Sequence, residues 1–194
     1  VSDNEPKAGV IRNVAAGGRA VEHPSEPGPG GAGAVGVGVR ALSECGAIGG
    51  WSREQIEIYC VTNLVSCALE ADHEFLVLDL HFAKDTMERA FELAHAFLAG
   101  PVWDEAAVQR AKRVFASQAL SVDKSLERAT ADRVLAAMLG GDARFRDPTP
   151  AQVDALTLDG VAAAVEMQLA PRNLEVNAVG DFDAAELERL ALRY

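Results

Sequence analysis

The chain has 194 residues, of which 49% are hydrophobic, and a formal net charge of −11. A chain of this length buries about 70% of its unfolded surface on folding, which is enough for one core without disulfides or metals. The charge disfavours nucleic acid as a partner because phosphates would be repelled, and no apolar run approaches the roughly 18 residues that cross a membrane.

The first part of the chain combines a short strand with glycine-rich breaks. An apolar run over residues 10–16 predicts a strand. The segment 23–33 holds three prolines and four glycines and predicts a flexible loop. A helix of small residues is expected over Ala34–Cys45, with a break over residues 46–50 after it.

Two strands are predicted next, over residues 64–71 and 74–82. In the second strand, every other residue is a large apolar one, which gives it at least one strongly apolar face. Those residues are Leu76, Leu78, Leu80 and Phe82.

The remaining part is rich in helices. Asp85 and Glu88 have the spacing of a capping box, and Thr149 with Gln152 has it again. A last helix is expected to begin at Asp183 and to run to Tyr194. The other predicted elements are helices over 104–120, 125–139 and 158–169, and a strand over 173–179.

This order of elements predicts an α+β fold, with a mostly antiparallel sheet and helices packed on one face. Residues 1–194 are expected to form a single module. The polar start of the chain shows neither a signal nor a transit peptide, and the absence of an initial methionine suggests a fragment of a larger multi-module chain.

The chain has three cysteines, Cys45, Cys60 and Cys67. An odd number without C-x-x-C spacing argues against a disulfide framework and against a cysteine-based zinc site. Reduced thiols are expected, in a compartment such as the cytosol or the chloroplast stroma.

Residues 38–45 read Gly-Val-Arg-Ala-Leu-Ser-Glu-Cys. This segment resembles the active-site helix of the pitrilysin/insulinase family of zinc metallopeptidases, whose catalytic members carry G-x-x-H-x-x-E-H. Gly38 matches the glycine and Glu44 the general base, but Ala41 and Cys45 stand where the family has its two zinc-binding histidines. The resemblance also implies a third ligand, a glutamate, on the helix over 104–120, where the nearest matching residues are Ser117 and Gln118.

With these three ligands replaced, no catalytic, cofactor-binding or metal-binding residue is predicted in this chain, which alone is expected to be inactive. Glu44 is expected to be a helix-end carboxylate. The resemblance places the zinc of such an enzyme in the catalytic half of the full-length polypeptide.

Several other residues could suggest a site. Arg53 and Tyr59 resemble an arginine–tyrosine pair that binds substrate in the family, but their spacing differs from that of the pair. Tyr59 is instead expected to pack beside Ile56 and Ile58. Ser43 has no nearby histidine and therefore does not predict a nucleophile.

The histidines and the glycine-rich segment receive structural interpretations. His73 and His81 could hold a metal, although lone strand histidines are usually structural or solvated. His23 and His95 have no histidine or cysteine one turn away. Residues 28–33 match G-x-G-x-x-G, but no apolar strand precedes them, so a loop is predicted.

Three further segments extend the resemblance over nearly the whole chain. Residues 52–55, 124–131 and 179–182 are similar to the third module of chloroplast members of the family. That similarity implies a non-catalytic module at the start of the C-terminal half, in the chloroplast stroma, forming part of the chamber that encloses substrate. Its implied partners are the catalytic half of the same polypeptide and precursors with basic, unfolded transit peptides. The alternative is a stand-alone degenerate module that acts as an interaction or scaffold subunit.

Overall fold

The computed structural model describes residues 8–16, 30–45, 48–71, 75–122, 124–142, 146–170 and 174–194, although not the side chains of 8–16, 44, 45 and 122. The described residues form four strands and eight α-helices, with a short 3₁₀ helix at Lys84–Thr86. In chain order these are β1 (Ala8–Ala16), α1 (Ala34–Cys45), α2 (Arg53–Asn63), β2 (Val65–Ala71), β3 (Phe75–Ala83), α3 (Met87–Ala99), α4 (Glu105–Val122), α5 (Leu126–Met138), α6 (Pro150–Ala155), α7 (Leu158–Gln168), β4 (Leu174–Val179) and α8 (Ala184–Arg193). Among these helices, none is long and apolar enough to span a membrane.

The four strands form one sheet in the order β2-β3-β1-β4, and all neighbouring strands are antiparallel. On β3 the predicted alternation places Leu78 and Leu80 in the core, whereas His81 is exposed. The helices cover the face to which the leucines point. The predicted α+β fold, with an antiparallel sheet and helices on one face, is confirmed.

Two buried clusters meet at α1. The first lies between the sheet and the helices and includes Val39 of α1, Leu93 of α3 and Leu190 of α8. The second lies between α1, α4, α6 and α7 and includes Val37 of α1 and Val161 of α7. Because α1 contributes to both clusters, its position fixes the helical layer relative to the sheet.

Polar side chains mark several helix ends as the sequence predicts. The Thr149 hydroxyl accepts a hydrogen bond from the Gln152 backbone N–H. The Gln152 side-chain oxygen accepts one from the Thr149 backbone N–H, which completes a capping box. The Asp183 carboxylate accepts from the Glu186 backbone N–H at 2.9 Å and caps α8. These bonds satisfy backbone donors that the first helical turn leaves unpaired.

Between the break predicted over residues 46–50 and the strand predicted over 64–71, no element was expected, but α2 begins at Arg53. Ser52 and Gln55 form a further capping box, with the Gln55 amide oxygen 2.8 Å from the Ser52 nitrogen. None of the residues of α2 is fully buried. It therefore lacks the apolar stripe by which periodicity identifies a helix.

The predicted Asp85–Glu88 cap was also wrong. The chain leaves β3 through the 3₁₀ helix, and the N-cap position of α3 falls on Thr86, which makes no side-chain cap bond. Its hydroxyl instead donates to the Ala83 carbonyl at 3.0 Å. The tighter turn shifts the start of the helix by one residue relative to the expected cap.

Candidate functional site

A groove of about 620 Å³ lies between α1, α2 and the edge strand β2. Its lining is mostly apolar and includes Leu42 of α1, Ile56 and Val61 of α2, and Leu69 of β2. A single residue, Leu64, turns the chain from α2 into β2 with a left-handed φ of 55°. This tight turn brings β2 back along α2 and gives the groove its two long walls.

Ser43 connects the end of α1 to the edge strand. Its Oγ lies 3.2 Å from the Leu69 carbonyl oxygen and 2.9 Å from the Val39 carbonyl oxygen. A hydroxyl has one proton and donates to one of these carbonyls at a time. Ser43 therefore serves as a link between helix and strand.

Two free cysteines line the groove, Cys60 on α2 and Cys67 on β2. Burial raises the pKa of the Cys60 thiol. The pKa of the Cys67 thiol is raised to about 12, mainly by burial and to a smaller extent by the neighbouring Cys60. Both groups are therefore neutral thiols near pH 7, which suits an apolar lining better than a metal site, since metals bind the thiolate.

The helix that resembles the zinc-protease motif is α1, with its predicted bounds. Ala41, at the position of the first histidine, is 2% exposed and belongs to a buried cluster with Ala107 and Ala111 of α4. Ser117 and Gln118 lie exposed on α4. None of these positions supplies the imidazole or carboxylate that a catalytic zinc requires, so they do not fit this metal.

In the part of the chain that the structure describes, no group of three or more His, Cys, Asp or Glu residues could hold a metal ion. The Glu44 and Cys45 side chains lie outside that part. The absence of a metal site from the whole chain, and the absence of a catalytic role for Glu44, therefore stay predictions.

Arg53 and Tyr59 have different neighbours. The Arg53 Nε lies 2.8 Å from a Glu57 carboxylate oxygen. Tyr59 packs on Trp51, with ring centroids 4.9 Å apart, and its hydroxyl donates to Glu92 at 2.6 Å. Tyr59 packs against the core together with Ile56, as predicted, whereas the other predicted neighbour, Ile58, is 59% exposed. The Tyr59 hydroxyl also ties α2 to α3.

Glu92 is the centre of this link. Burial alone would raise the pKa of the Glu92 carboxyl, but hydrogen bonds from Tyr59 and Arg89 hold it below its usual range. Arg89 is 2.8 Å from the carboxylate. Burial and then the hydrogen bond to Glu92 raise the pKa of Tyr59, which keeps its hydroxyl protonated and donating.

This network predicts acid sensitivity. A carboxyl with a lowered folded-state pKa adds stability above its unfolded value of about 4.5, and that stability is lost as the pH falls through the folded value. We expect urea unfolding midpoints of Glu92→Gln to lie well below those of the wild-type chain at pH 6.5 and to approach them at pH 3.5. A deficit of equal size at both pH values would show that the Glu92 charge contributes nothing.

The structure places only some of the other candidate residues. His81 is exposed on β3, and His95 Nδ1 lies 2.6 Å from the Tyr194 carbonyl oxygen. His23 and His73 lie outside the described residues, as does most of the loop predicted over 23–33. Its last residues, 30–33, form the turn that leads into α1.

The groove itself was missed by sequence reasoning. Its α2 wall belongs to the helix that the sequence analysis did not predict, although the Ser52–Gln55 capping-box spacing was a usable signal. The cavity also depends on how β2 lies against α2, which no local pattern specifies.

Comparison with known proteins gives close relatives. The chain is 44% identical over 196 residues to the chloroplastic stromal processing peptidase of Pisum sativum, and the match covers 100% of this chain and 15% of the relative. The Arabidopsis thaliana protein of the same name is 44% identical over 195 residues, with the same coverage. No protein-family model matches the chain.

Solved structures share the fold at low sequence identity. A peptidase M16 inactive domain from Pseudomonas fluorescens superposes with a TM-score of 0.75 at 16% identity, over 97% of this chain and 44% of that one. The periplasmic protease PqqL from Escherichia coli gives a TM-score of 0.73 at 14% identity, over 100% of this chain and 21% of that one.

The fold and these relatives place the chain in the M16, or pitrilysin/insulinase, family of peptidases. Within that family, it corresponds over its whole length to a segment of the chloroplastic stromal processing peptidases. The chain spans about 15% of the length of these curated relatives. The predicted family is thereby confirmed, and the relatives' names agree with the predicted location.

Proposed function

We propose that this chain is a non-catalytic module of a zinc metalloendopeptidase that removes transit peptides from imported chloroplast precursors in the stroma. It forms part of the chamber that encloses the substrate, while hydrolysis takes place on the zinc of the catalytic half. The similarity to stromal processing peptidases, which extends over the whole of this chain, supports this proposal.

The observation that carries the non-catalytic assignment is the packing of Ala41. Where catalytic relatives need a zinc-binding imidazole, this chain has a methyl group that is 2% exposed within an apolar cluster. A histidine there would have to displace close-packed neighbours before it could reach a metal.

Exposed apolar residues on α5 support a place within a larger assembly. None of the residues of this helix is fully buried, and Leu126 and Met138 are 84% and 79% exposed. Val134, which is 52% exposed, lies one helical turn before Met138, and exposed apolar neighbours of this kind occur at contact surfaces between proteins or domains. In the proposed enzyme, the catalytic half of the same polypeptide is the principal partner.

The charge of the chain suits the proposed substrate. A net charge of −11 attracts basic polypeptides over distances of about 10 Å, the Debye length at moderate salt. Transit peptides are rich in arginine and poor in acidic residues. An acidic chamber wall would therefore concentrate them near the zinc.

The non-catalytic assignment is tested by Glu44→Gln in a peptidase that contains this segment together with the catalytic half. Because no zinc-bound water is activated at this helix, we expect precursor cleavage to change by less than about threefold. The matched control is the same substitution at the glutamate of the catalytic H-x-x-E-H motif, which removes a general base and costs about 100-fold or more. A loss of that size for Glu44→Gln would refute the assignment.

A further inference from the structure

Large apolar side chains lie exposed on the outer face of α2. The inner face of this helix packs against the core through three partly buried residues, Ile56, Tyr59 and Cys60. On the opposite side, Ile58 and Val61 lie one turn apart and are 59% and 78% exposed. Leu64, three residues further along the chain, is 71% exposed. A single exposed apolar residue is common, whereas three on successive turns form a patch of the kind that binds a partner.

Ile58, Val61 and Leu64 form the α2 patch, and the sequence around this patch is acidic. Residues 54–83 contain no lysine or arginine and carry six carboxylates, at Glu54, Glu57, Glu70, Asp72, Glu74 and Asp79. Glu54 lies one turn before Ile58 on the outer face of the helix.

The two carboxylates of α2 differ in what they bind. The Glu57 carboxylate lies 2.8 Å from the Arg53 Nε and is therefore already paired. Glu54 is exposed and makes no ion pair with another residue that the structure describes. The patch thus has a carboxylate at its N-terminal end that is available to a cation on a partner.

We propose that the α2 patch docks an amphipathic helix with basic side chains beside its apolar stripe, and that this helix belongs to the transit peptide of the precursor. Apolar residues of the docked helix pack on the patch, and an arginine next to them pairs with Glu54. The contact is centred on Ile58, which does not line the groove beside β2. This inference rests on the proposed function, because the docked helix is part of the substrate of that enzyme.

Charge and shape decide between the possible occupants of the patch. A second copy of this chain would bring together two chains of net charge −11, and like charges repel. Transit peptides are amphipathic, rich in arginine and poor in acidic residues, so they supply both an apolar stripe and positive charge. An amphipathic helix binds an apolar surface through residues at i, i+3, i+4 and i+7. The 11 residues of α2 span about 16 Å, which matches a docked helix of about three turns.

The test is binding of a fluorescein-labelled peptide to the 194-residue chain, measured by fluorescence anisotropy. The peptide has about 15 residues, enough for about four helical turns, with leucines at helical spacing, arginines beside them and alanines elsewhere. We expect saturable binding and a gain in the helical circular dichroism signal when the peptide is bound. No binding up to about 1 mM, the weakest affinity that such an assay resolves, would overturn the proposal.

Two altered peptides test the mode of binding. A proline in the middle of the peptide breaks its helix, and we expect affinity to fall by about tenfold or more. Replacement of the arginines by glutamine is expected to weaken binding by about twofold to fivefold in the wild-type chain and by clearly less in Glu54→Gln. Unchanged affinity for the proline peptide would exclude a docked helix, and an equal effect of the glutamines in both chains would exclude the pairing with Glu54.

Protein variants locate the contact. Ile58→Ser removes an apolar side chain from the centre of the patch without adding charge, and its cost to folding is small because Ile58 is 59% exposed. We expect about a fivefold or greater loss of affinity, since residues at the centre of a contact carry most of the binding energy. Leu192→Ser on α8 is the matched control, because Leu192 is 82% exposed and lies outside α2. Equal affinities of the two variants would place binding elsewhere.

Measurements on the assembled peptidase identify the source of the helix. We expect Ile58→Ser to lower kcat/KM for a transit-peptide-bearing precursor by about fivefold, and Leu192→Ser to leave it within about twofold. The labelled peptide should still bind when the catalytic half is present. If the catalytic half abolishes peptide binding, the patch is covered by the same polypeptide, and the assignment to the precursor is overturned.

The two proposals fail separately. If the peptide does not bind but precursor cleavage still requires this segment, the docking inference falls and the chamber function stands. If the patch binds peptide but cleavage proceeds equally well without the segment, the chamber function falls, and with it the assignment of the docked helix to the precursor.

Discussion

Gly38→Ala is expected to lower the free energy of unfolding by about 2 kcal/mol, although replacing glycine by alanine within a helix normally raises it by about 1 kcal/mol. The reason is the close approach of α1 to α7. A Cβ added at Gly38 would lie 2.6 Å from Cγ2 of Val165 and 2.9 Å from Cγ1 of Val161. Both valines are fully buried, and their branched side chains have few alternative rotamers.

The control for this prediction is Gly36→Ala, in the same helix and with the same gain in helix propensity. Its added Cβ would lie 3.1 Å from the ring tip of Phe115, which is partly buried and can shift. We expect the free energy of unfolding of this variant to stay within about 1 kcal/mol of the wild-type value. Urea unfolding followed by circular dichroism compares the two, and a Gly38→Ala chain as stable as Gly36→Ala would contradict the packing argument.

The close contact at Gly38 also explains what the zinc-protease motif does in this chain. The glycine at the start of the motif matches Gly38, where it serves the contact between α1 and α7. The histidine position that follows has become Ala41, which fills the cluster beside α4. In this chain the motif helix is thus retained as a packing element, whereas its metal-binding residue types have been replaced.

Much of the fold could be predicted because local signals were strong. The bounds of α1 are Ala34–Cys45, as predicted from its small residues and the glycine-rich segments around it. The strict alternation in β3 identified its buried face, and the polar residues at Thr149 and Asp183 identified two helix starts. In each case the pattern has a direct cause in backbone hydrogen bonding or in burial.

The failures have physical causes too. The residues of α2 meet the core only partly, with Ile58 and Val61 59% and 78% exposed, so the helical period does not show as an apolar stripe. The cap predicted at Asp85 failed because the chain tightens into a 3₁₀ turn on leaving β3. Both are effects of tertiary context on a short segment.

The candidate site was less predictable than the fold. Sequence indicated which metal ligands are replaced, because this depends on residue type at matched positions. The groove depends on the single left-handed residue Leu64, which folds β2 back along α2. Leucine gives no signal of such a turn, since non-glycine residues seldom adopt this conformation.

The second large effect is expected in the assembled peptidase. Without this segment, the catalytic half should cleave a precursor about 100-fold more slowly or not at all. An open chamber cannot hold an unfolded peptide in register with the zinc, and small errors in substrate position lower the cleavage rate by about this factor. Adding the segment as a separate chain should restore cleavage if the two halves associate.

The non-catalytic, chamber-forming role is tested by cleavage of a transit-peptide-bearing precursor by three samples: the catalytic half alone, this chain alone, and the two together. We expect efficient cleavage when both are present and none by this chain alone, with the activity of the pair unchanged by Glu44→Gln. Cleavage by this chain alone, abolished by a metal chelator, would contradict the non-catalytic assignment.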